Sequence, residues 1–544
     1  AGDPARKTTF AAAADWYQRV LALDTGSPAQ KLALRMLRAD ALYDGGSTEQ
    51  AAGEYLQAAY AQPATPSPEA AYAAVQAYQR LATETSGEAK DQALRASIGA
   101  SLKLAEVYSA HPQWLAVLTR SAQDLYVLHD DAAAIALAER ALQSGRPLLA
   151  SQRRELLTVV GDAHYTQKNF ASAEAAYLAL LPSIDAAQPR AAIGERLATA
   201  IYRQAEAARA AGDLRAAAQS FARVGQSVPG ATIRATADYD AAAALIALED
   251  WTPAAAALEG FRSRYNDHAL LPEVDKKLAV VYDKTQQPAA AAEAYLRIAA
   301  EPRTTAPLRS EAAWLAAQRY DSARLPAAAA RAYENYLQAP EVSGERGLQA
   351  RRKLADFARD FKRDEPMYRQ WLQQIVAIDS RARTGISQQM AAQAYLELGR
   401  LDAQAARQIA LSAPITQQLP QRRVKTEAAI TALLRAAQQG DATITTAATY
   451  EIGAIYQDLG LALLRSQRPT ALSAEAREQY EILLEEQADP FERKAIEAHE
   501  ANLGRIKQGL WDDAIHRSAT ALVELAPALY GKHELREDRY AELP

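Results

Sequence analysis

Apolar residues recur at helical spacing along most of the chain, and the stripe they draw is itself repeated. "QPAAAAEAYLRI" begins at Gln287 and "LPAAAARAYENY" begins 38 residues later at Leu325. Tyr282, Pro288, Ala291 and Tyr295 map onto Tyr320, Pro326, Ala329 and Tyr333 by that same offset of 38. Three earlier stretches follow the plan: "GDAHYTQKNFASAEAAYLALL", "GDLRAAAQSFARVGQSVP" and "EDWTPAAAALEGF". Their large stripe residues are Tyr177, Phe221 and Leu258, followed by Tyr295 and Tyr333, at steps of 44, 37, 37 and 38. A period in this range predicts a helical solenoid.

Each unit reads as two helices joined by a short polar turn such as "AAGD", "LED" or "TQQP". The second helix carries a small residue, a large one four positions on, and a further apolar residue three beyond that. Ala173/Tyr177/Leu180, Ala217/Phe221/Val224 and Ala254/Leu258/Phe261 are such sets. That spacing puts all three on one face, and the small residue lets a neighbouring helix approach closely. A single hairpin cannot bury its own stripe, whereas stacked copies can. Strand signals are lacking, so the predicted fold is all-α: a right-handed solenoid of stacked helical hairpins.

The small-then-aromatic register resembles the tetratricopeptide repeat. Leu157, Gly161, Ala173, Tyr177 and Leu180 match that family's large, small, small, aromatic and closing positions, and Pro229 matches its final proline. Two departures stand out. The spacing exceeds the family's usual 34, and alanine replaces the first-helix glycine at Ala242 and Ala279. Five copies run between residues 150 and 340. Weaker ones lie at Ala51/Tyr55/Ala58, Ala134/Ala138/Ala141 and Ala514/Ser518/Ala521, with Pro527 closing the last. A chain built wholly of such units would hold roughly fourteen.

The pattern divides the chain into degenerate repeats (1–145), a regular array (146–340), divergent repeats (341–446), a C-terminal helical block (447–530) and a polar tail (531–544). Breaks are expected at "AQPATPSPEA" (61–70), "APEVSGERG" (339–347) and "SAPITQQLPQRR" (412–423), where proline, glycine and polar residues gather. The block from Ala447 has less alanine and more large residues. Its phrase "YEILLEEQADPFERKAIEAHEANL", with "LAPALYGK" after it, resembles the ends of envelope-associated tetratricopeptide proteins of gliding-motility or Tol-like trans-envelope machines. That resemblance implies a periplasmic or outer-membrane-associated scaffold, a lipoprotein among the forms it allows, bridging other components. A cytoplasmic peptide-binding regulator and an exopolysaccharide-export component remain open alternatives.

Composition narrows the function. The chain has 544 residues, 49% hydrophobic and 23% charged, with a net charge of −5. A general nucleic-acid binder would carry a basic excess, so no nucleic-acid partner is expected. Apolar runs such as Ala241–Leu248 are too short to span a bilayer, which takes about 20 residues. There is no cysteine, hence no disulfide, thiolate metal site or cysteine nucleophile. The sequence opens on Ala1, consistent with a leader, and a lipid-bearing cysteine with it, having been removed.

Catalytic motifs are lacking. The seven histidines form no HExxH pattern, and neither a phosphate loop nor a nucleophile elbow occurs. His499/Glu500 and His164/Asp162 are the nearest metal candidates, but the expected reading of each is a helix-surface or inter-repeat polar residue. Glu485/Glu486 and Asp512/Asp513 read as solvated faces. No catalytic residue, metal or cofactor is expected.

A solenoid offers a long concave surface instead, and the resemblance implies that first helices line it. Counting three residues back from the small position gives Thr158, Tyr202, Tyr239, Lys276 and Trp314; neighbouring positions give Tyr165, Arg209 and Asp283. Rigid amphipathic rings bind a partner peptide or helix at low entropic cost. The candidate partner-binding residues are therefore Tyr165, Tyr202, Arg209, Tyr239, Lys276, Asp283 and Trp314. The same rings would equally serve as packing between adjacent repeats.

Overall fold

The computed structural model describes residues 4–61, 65–184, 186–339, 342, 344–379, 384–413, 415–470 and 472–531. Among these every regular element is helical, and the fold is the all-α repeat that the periodicity predicts. The chain divides into two compact units, Ala1–Val274 and Asp275–Pro544. Most of the expected tail (532–544) and parts of the breaks near 62–64 and 340–343 lie outside the described residues. Gln418–Arg423, expected to belong to a break, instead forms the first turns of a helix.

The first unit holds α1 (Pro4–Ala22), α2 (Pro28–Gly45), α3 (Thr48–Tyr60), α4 (Pro68–Glu84), α5 (Glu88–Val107), α6 (Trp114–Val127), α7 (Asp131–Leu142), α8 (Ala150–Thr166), α9 (Phe170–Leu180), α10 (Ala187–Ala210), α11 (Leu214–Ser227), α12 (Arg234–Ala247) and α13 (Trp251–Arg264). The division falls within α14 (Leu271–Lys284). The second unit continues with α15 (Pro288–Ala300), α16 (Ala306–Ser322), α17 (Pro326–Leu337), α18 (Gly344–Asp356), α19 (Glu365–Asp379), α20 (Gly385–Arg407), α21 (Gln418–Ala437), α22 (Ala442–Leu464), α23 (Ala474–Gly504), α24 (Asp513–Leu525) and α25 (Pro527–Tyr530). A π-helical turn, Phe357–Lys362, follows α18.

Within the regular hairpins the even-numbered helix comes first. The turn after it repeats one geometry at Gly46, His129, Lys168, Gly212, Glu249, Gln286 and Arg324. Each has φ between 54° and 84°, in the left-handed region. The following amide reaches back to the carbonyl five residues earlier, as Asn169 does to His164 at 2.8 Å and Asp213 to Ala208 at 2.9 Å. This is a Schellman closure, which satisfies the last carbonyls of the first helix. The second helix then starts under a cap: Asp130 accepts from the Ala133 amide and Asp213 from that of Ala216. Elsewhere proline opens it, at Pro288 and Pro326, where its missing N–H costs nothing.

The repeated stripe is the core. Ala173, Ala217, Ala254, Ala291 and Ala329 are buried, as are Leu180, Val224, Phe261, Ile298 and Tyr336. Between them sit Tyr177, Phe221, Leu258 and Tyr333, all buried, and Tyr295, half-buried. First helices present Gly161, Ala205, Ala242, Ala279 and Ala317 to this stripe, and all five are buried. The weaker copies Ala51/Tyr55/Ala58 and Ala134/Ala138/Ala141 are buried too. The copy expected at Ala514/Ser518/Ala521 is out of register. In α24 the buried residues are Ile515, Ser518 and Leu522, because the large apolar side chains rather than the alanines turn inward.

Candidate functional site

Three successive first helices of the first unit, α6, α8 and α10, enclose a cleft of about 380 Å³. It is lined by Tyr126, Asp162, Tyr165, Thr166, Glu195, Arg196 and Thr199, with Tyr177 of α9 behind them. The repeat explains the arrangement. The stripe turns one face of each first helix onto the second helices, and the polar and aromatic positions a third of a turn away meet those of the next first helix.

Carboxylates tie these helices together. Tyr177 donates its hydroxyl to Asp162 Oδ1 at 2.7 Å, and Arg196 Nη1 donates to both oxygens of Asp162 at 2.9 and 2.7 Å. One period on, Tyr202 donates to Asp240 Oδ2 at 2.7 Å, and Arg209 lies 3.4 Å from the same carboxylate. In the second unit Tyr295 donates to Asp283 at 3.0 Å, and Arg319 reaches Asp283 at 2.6 and 3.0 Å. Burial first, and the adjacent carboxylate second, push the Tyr202 and Tyr295 hydroxyls up to about 12, so both stay protonated donors.

The sequence-expected residues fall into three groups. Tyr165, Tyr202 and Tyr239 are half-buried on α8, α10 and α12. Tyr165 packs edge-on against Phe170 with ring centroids 5.4 Å apart. Tyr202 and Tyr239 pack on Phe221 and Phe261, at 5.1 and 6.3 Å. Arg209 is exposed, over the Phe221 ring as well as near Asp240. Thr158 turns its hydroxyl back to the Arg154 carbonyl. In the second unit Lys276 is exposed, and Asp283 is engaged as described.

Trp314 corrects the expectation. It is only 5% exposed and belongs to the core, between Tyr333 and Tyr336 at 5.6 and 5.3 Å. Where other repeats place Leu180, Val224, Phe261 or Ile298 three positions after the large residue, this repeat has a second tyrosine, Tyr336. The two rings enclose the indole, and the Arg346 guanidinium covers it at 5.6 Å. Trp314 is thus the floor, not the rim, of a second cleft of about 480 Å³, walled by α16 and α18 and reached by Met390 of α20. Its charged lining is satisfied within the chain. Arg319 is bound to Asp283, Arg352 to Glu397 and Lys353 to Asp321.

Sequence reasoning did not place Tyr126, Asp162, Thr166, Glu195, Arg196 or Thr199 in a cleft, and it singled out Asp162 only beside His164. A signal existed: Asp162 and Arg196 are 34 residues apart, Tyr202 and Asp240 are 38 apart, and Asp283 and Arg319 are 36 apart, each about one period.

The one Ser–His contact of note is sealed. His499 and Ser518 are both fully buried, so no substrate reaches them. Among the described residues no group of three His, Asp or Glu side chains is placed to hold a metal ion. Nor is any helix there long and apolar enough to cross a membrane.

No protein-family model matches the chain, and no curated protein matches it. Solved helical-repeat structures do. A tetratricopeptide repeat protein from Parabacteroides merdae is similar at 15% identity over 49% of this chain and 94% of its own, with a TM-score of 0.21. A Naa15/Naa10 complex bound to HypK-THB is similar at 12% identity over 94% of this chain and 85% of its own, with a TM-score of 0.30. The human IFIT1 dimer with PPP-AAAA is similar at 13% identity over 56% of this chain and 72% of its own, with a TM-score of 0.19. The tetratricopeptide-like reading rests on this chain's own register: Gly161 under Tyr177, and its equivalents in the stacked hairpins of an all-α repeat protein.

Proposed function

We propose that the chain is a non-catalytic scaffold that holds a segment of a partner protein against the first helices of its first unit. The observation that carries this reading is the cleft among α6, α8 and α10. Three tyrosines give it apolar walls, and Asp162, Glu195, Arg196 and two threonines give it polar edges. Concave sites with apolar walls and a few fixed polar groups are where ligands bind. Tyr202, Arg209 and Tyr239 extend the same first-helix surface along α10 and α12. The test is affinity capture with wild type against a Tyr126→Ala/Tyr165→Ala variant, with circular dichroism on both. Loss of the same partner from the variant at unchanged helix content supports the reading. An unchanged partner set rejects it.

We further propose that this scaffold works in the bacterial envelope, as part of a multi-protein assembly. The support is the resemblance carried by Tyr480–Leu503 and Leu525–Lys532. Cell fractionation of the native protein decides it, and recovery in the cytosol alone rejects it.

A further inference from the structure

A buried polar joint fastens the last long helices of the second unit. His499 of α23, Asn502 of α23 and Ser518 of α24 are fully buried, and Thr446 of α22 is nearly so. Asn502 Nδ2 donates to the Thr446 carbonyl and to the Ser518 hydroxyl, both at 2.9 Å. The Ser518 oxygen lies 3.3 Å from His499 Nδ1. The other ring nitrogen, Nε2, is buried without a protein partner. The α22 backbone closes over it at Gly453, where an added Cβ would lie 2.6 Å from Nε2.

This environment accepts a neutral imidazole and rejects a charged one. Imidazolium carries a proton on both nitrogens, and at Nε2 that second N–H would face Gly453 with no acceptor. No carboxylate pairs with either ring nitrogen among the described residues. From α22, Tyr450 presents its ring 5.6 Å away, and Arg517 of α24 stacks on that ring at 4.0 Å, adding a cation to the neighbourhood. Asp512, at the start of α24, caps the Ile515 amide and accepts from the Thr446 hydroxyl; Arg505, at the end of α23, is bound to Asn502. Neither lies against the imidazole. Burial accordingly pulls the imidazole down to about 4.

Beyond that joint, α24 is held by Ile515, Leu522, the Thr446–Asp512 hydrogen bond and the Arg517 stack on Tyr450. Of its thirteen residues only Ile515, Ser518 and Leu522 are buried, and Ser518 is the one that meets His499. Segments with few buried apolar contacts open locally at low cost.

We propose that α24 is an acid-released latch, held on α22 and α23 while His499 is neutral and let go when its imidazole takes a proton. Once α24 has lifted, water reaches the Nδ1 edge that Ser518 covers in the closed form, and the imidazole titrates toward its ordinary value near 6.5. Below that pH the open form binds the extra proton, so the closed-to-open ratio falls by up to about tenfold per pH unit until the buried value near 4 is reached, at most about 300-fold in all.

The experiment is hydrogen exchange by mass spectrometry on the full chain between pH 7.5 and 4.5, corrected for intrinsic rates. Variants are His499→Gln, His499→Leu and, as an exposed control, His516→Gln. The expected result is a loss of α24 protection of up to about tenfold per pH unit below 6.5 in wild type and His516→Gln, with α20 and α21 still protected and His499→Gln flat. A flat wild-type profile overturns the proposal. So does an unchanged slope in His499→Gln, which would make a carboxylate such as Asp512 the trigger, and so does simultaneous loss across α20–α24. If both His499 variants lose α24 protection already at pH 7.5, the wild-type profile decides: confinement to α24 supports the latch, and its absence overturns it.

Discussion

The ring of Tyr177 fills the space that a side chain at Gly161 would need: a Cβ on Gly161 would lie 2.6 Å from Tyr177 Cε1. Gly161→Ala therefore opposes two effects. Alanine gains about 1 kcal/mol of helix propensity, while overpacking a rigid, hydrogen-bonded ring costs about 1–3 kcal/mol. The expected sum is a net destabilisation in urea unfolding, accompanied by displacement of the Tyr177 hydroxyl from Asp162. A more stable variant would show that the ring yields freely.

Ala291 and Ala329 occupy the equivalent small positions of α15 and α17 and are buried to 0% and 4% exposure. Replacing either with leucine forces added volume between crossing helices and should cost about 1–3 kcal/mol. Neutral melting of both variants would contradict the packing register described above.

Five of the seven hairpin turns place a residue other than glycine in the left-handed region, Glu249 at φ 57° among them. Glycine removes a steric cost of about 1–2 kcal/mol there and returns about 0.5–1 kcal/mol in chain entropy. Glu249→Gly should thus stabilise by about 0.5–1 kcal/mol. Gly212→Ala, at φ 82° in the matching turn, should destabilise by about 1 kcal/mol. Paired melting curves check both signs, and the same sign in each would refute the argument.

Asp283 accepts from Tyr295 and Arg319 together. Asp283→Ala leaves a half-buried guanidinium and a hydroxyl without that acceptor, an expected loss of about 1–3 kcal/mol. Asp283→Asn keeps an oxygen and should lose less. Chemical denaturation of the three proteins ranks them, and equal stability of the alanine and asparagine variants would show that the retained oxygen does not stand in for the carboxylate.

The fold was legible because its period is short enough to compare copies. Ala173/Tyr177/Leu180 and Ala254/Leu258/Phe261 announce the same face, and a stripe that recurs must be buried by its neighbours. The helix and position of Trp314 were legible too, but its exposure was not. Periodicity tells which way a side chain points, whereas the two tyrosines and the arginine that cover it come from other elements. The cleft required residues from three helices, and only the spacing between acid and base one period apart hinted at it. Around His499 the pattern fails altogether, since α22 and α23, of 23 and 31 residues, are too long to align with the hairpins before them.

An array joined only by apolar stripes can lose its hairpins one at a time. In the first unit that route is opposed between α8 and α12. Detaching α10 from α8 strands Asp162 without Arg196, and detaching α12 strands Tyr202 and Arg209 without Asp240. Each separation carries an electrostatic penalty on top of the lost packing. First helices α8, α10 and α12 should therefore come apart as one block, and a partner seated in the cleft would meet its α8 and α10 walls either both in place or both gone.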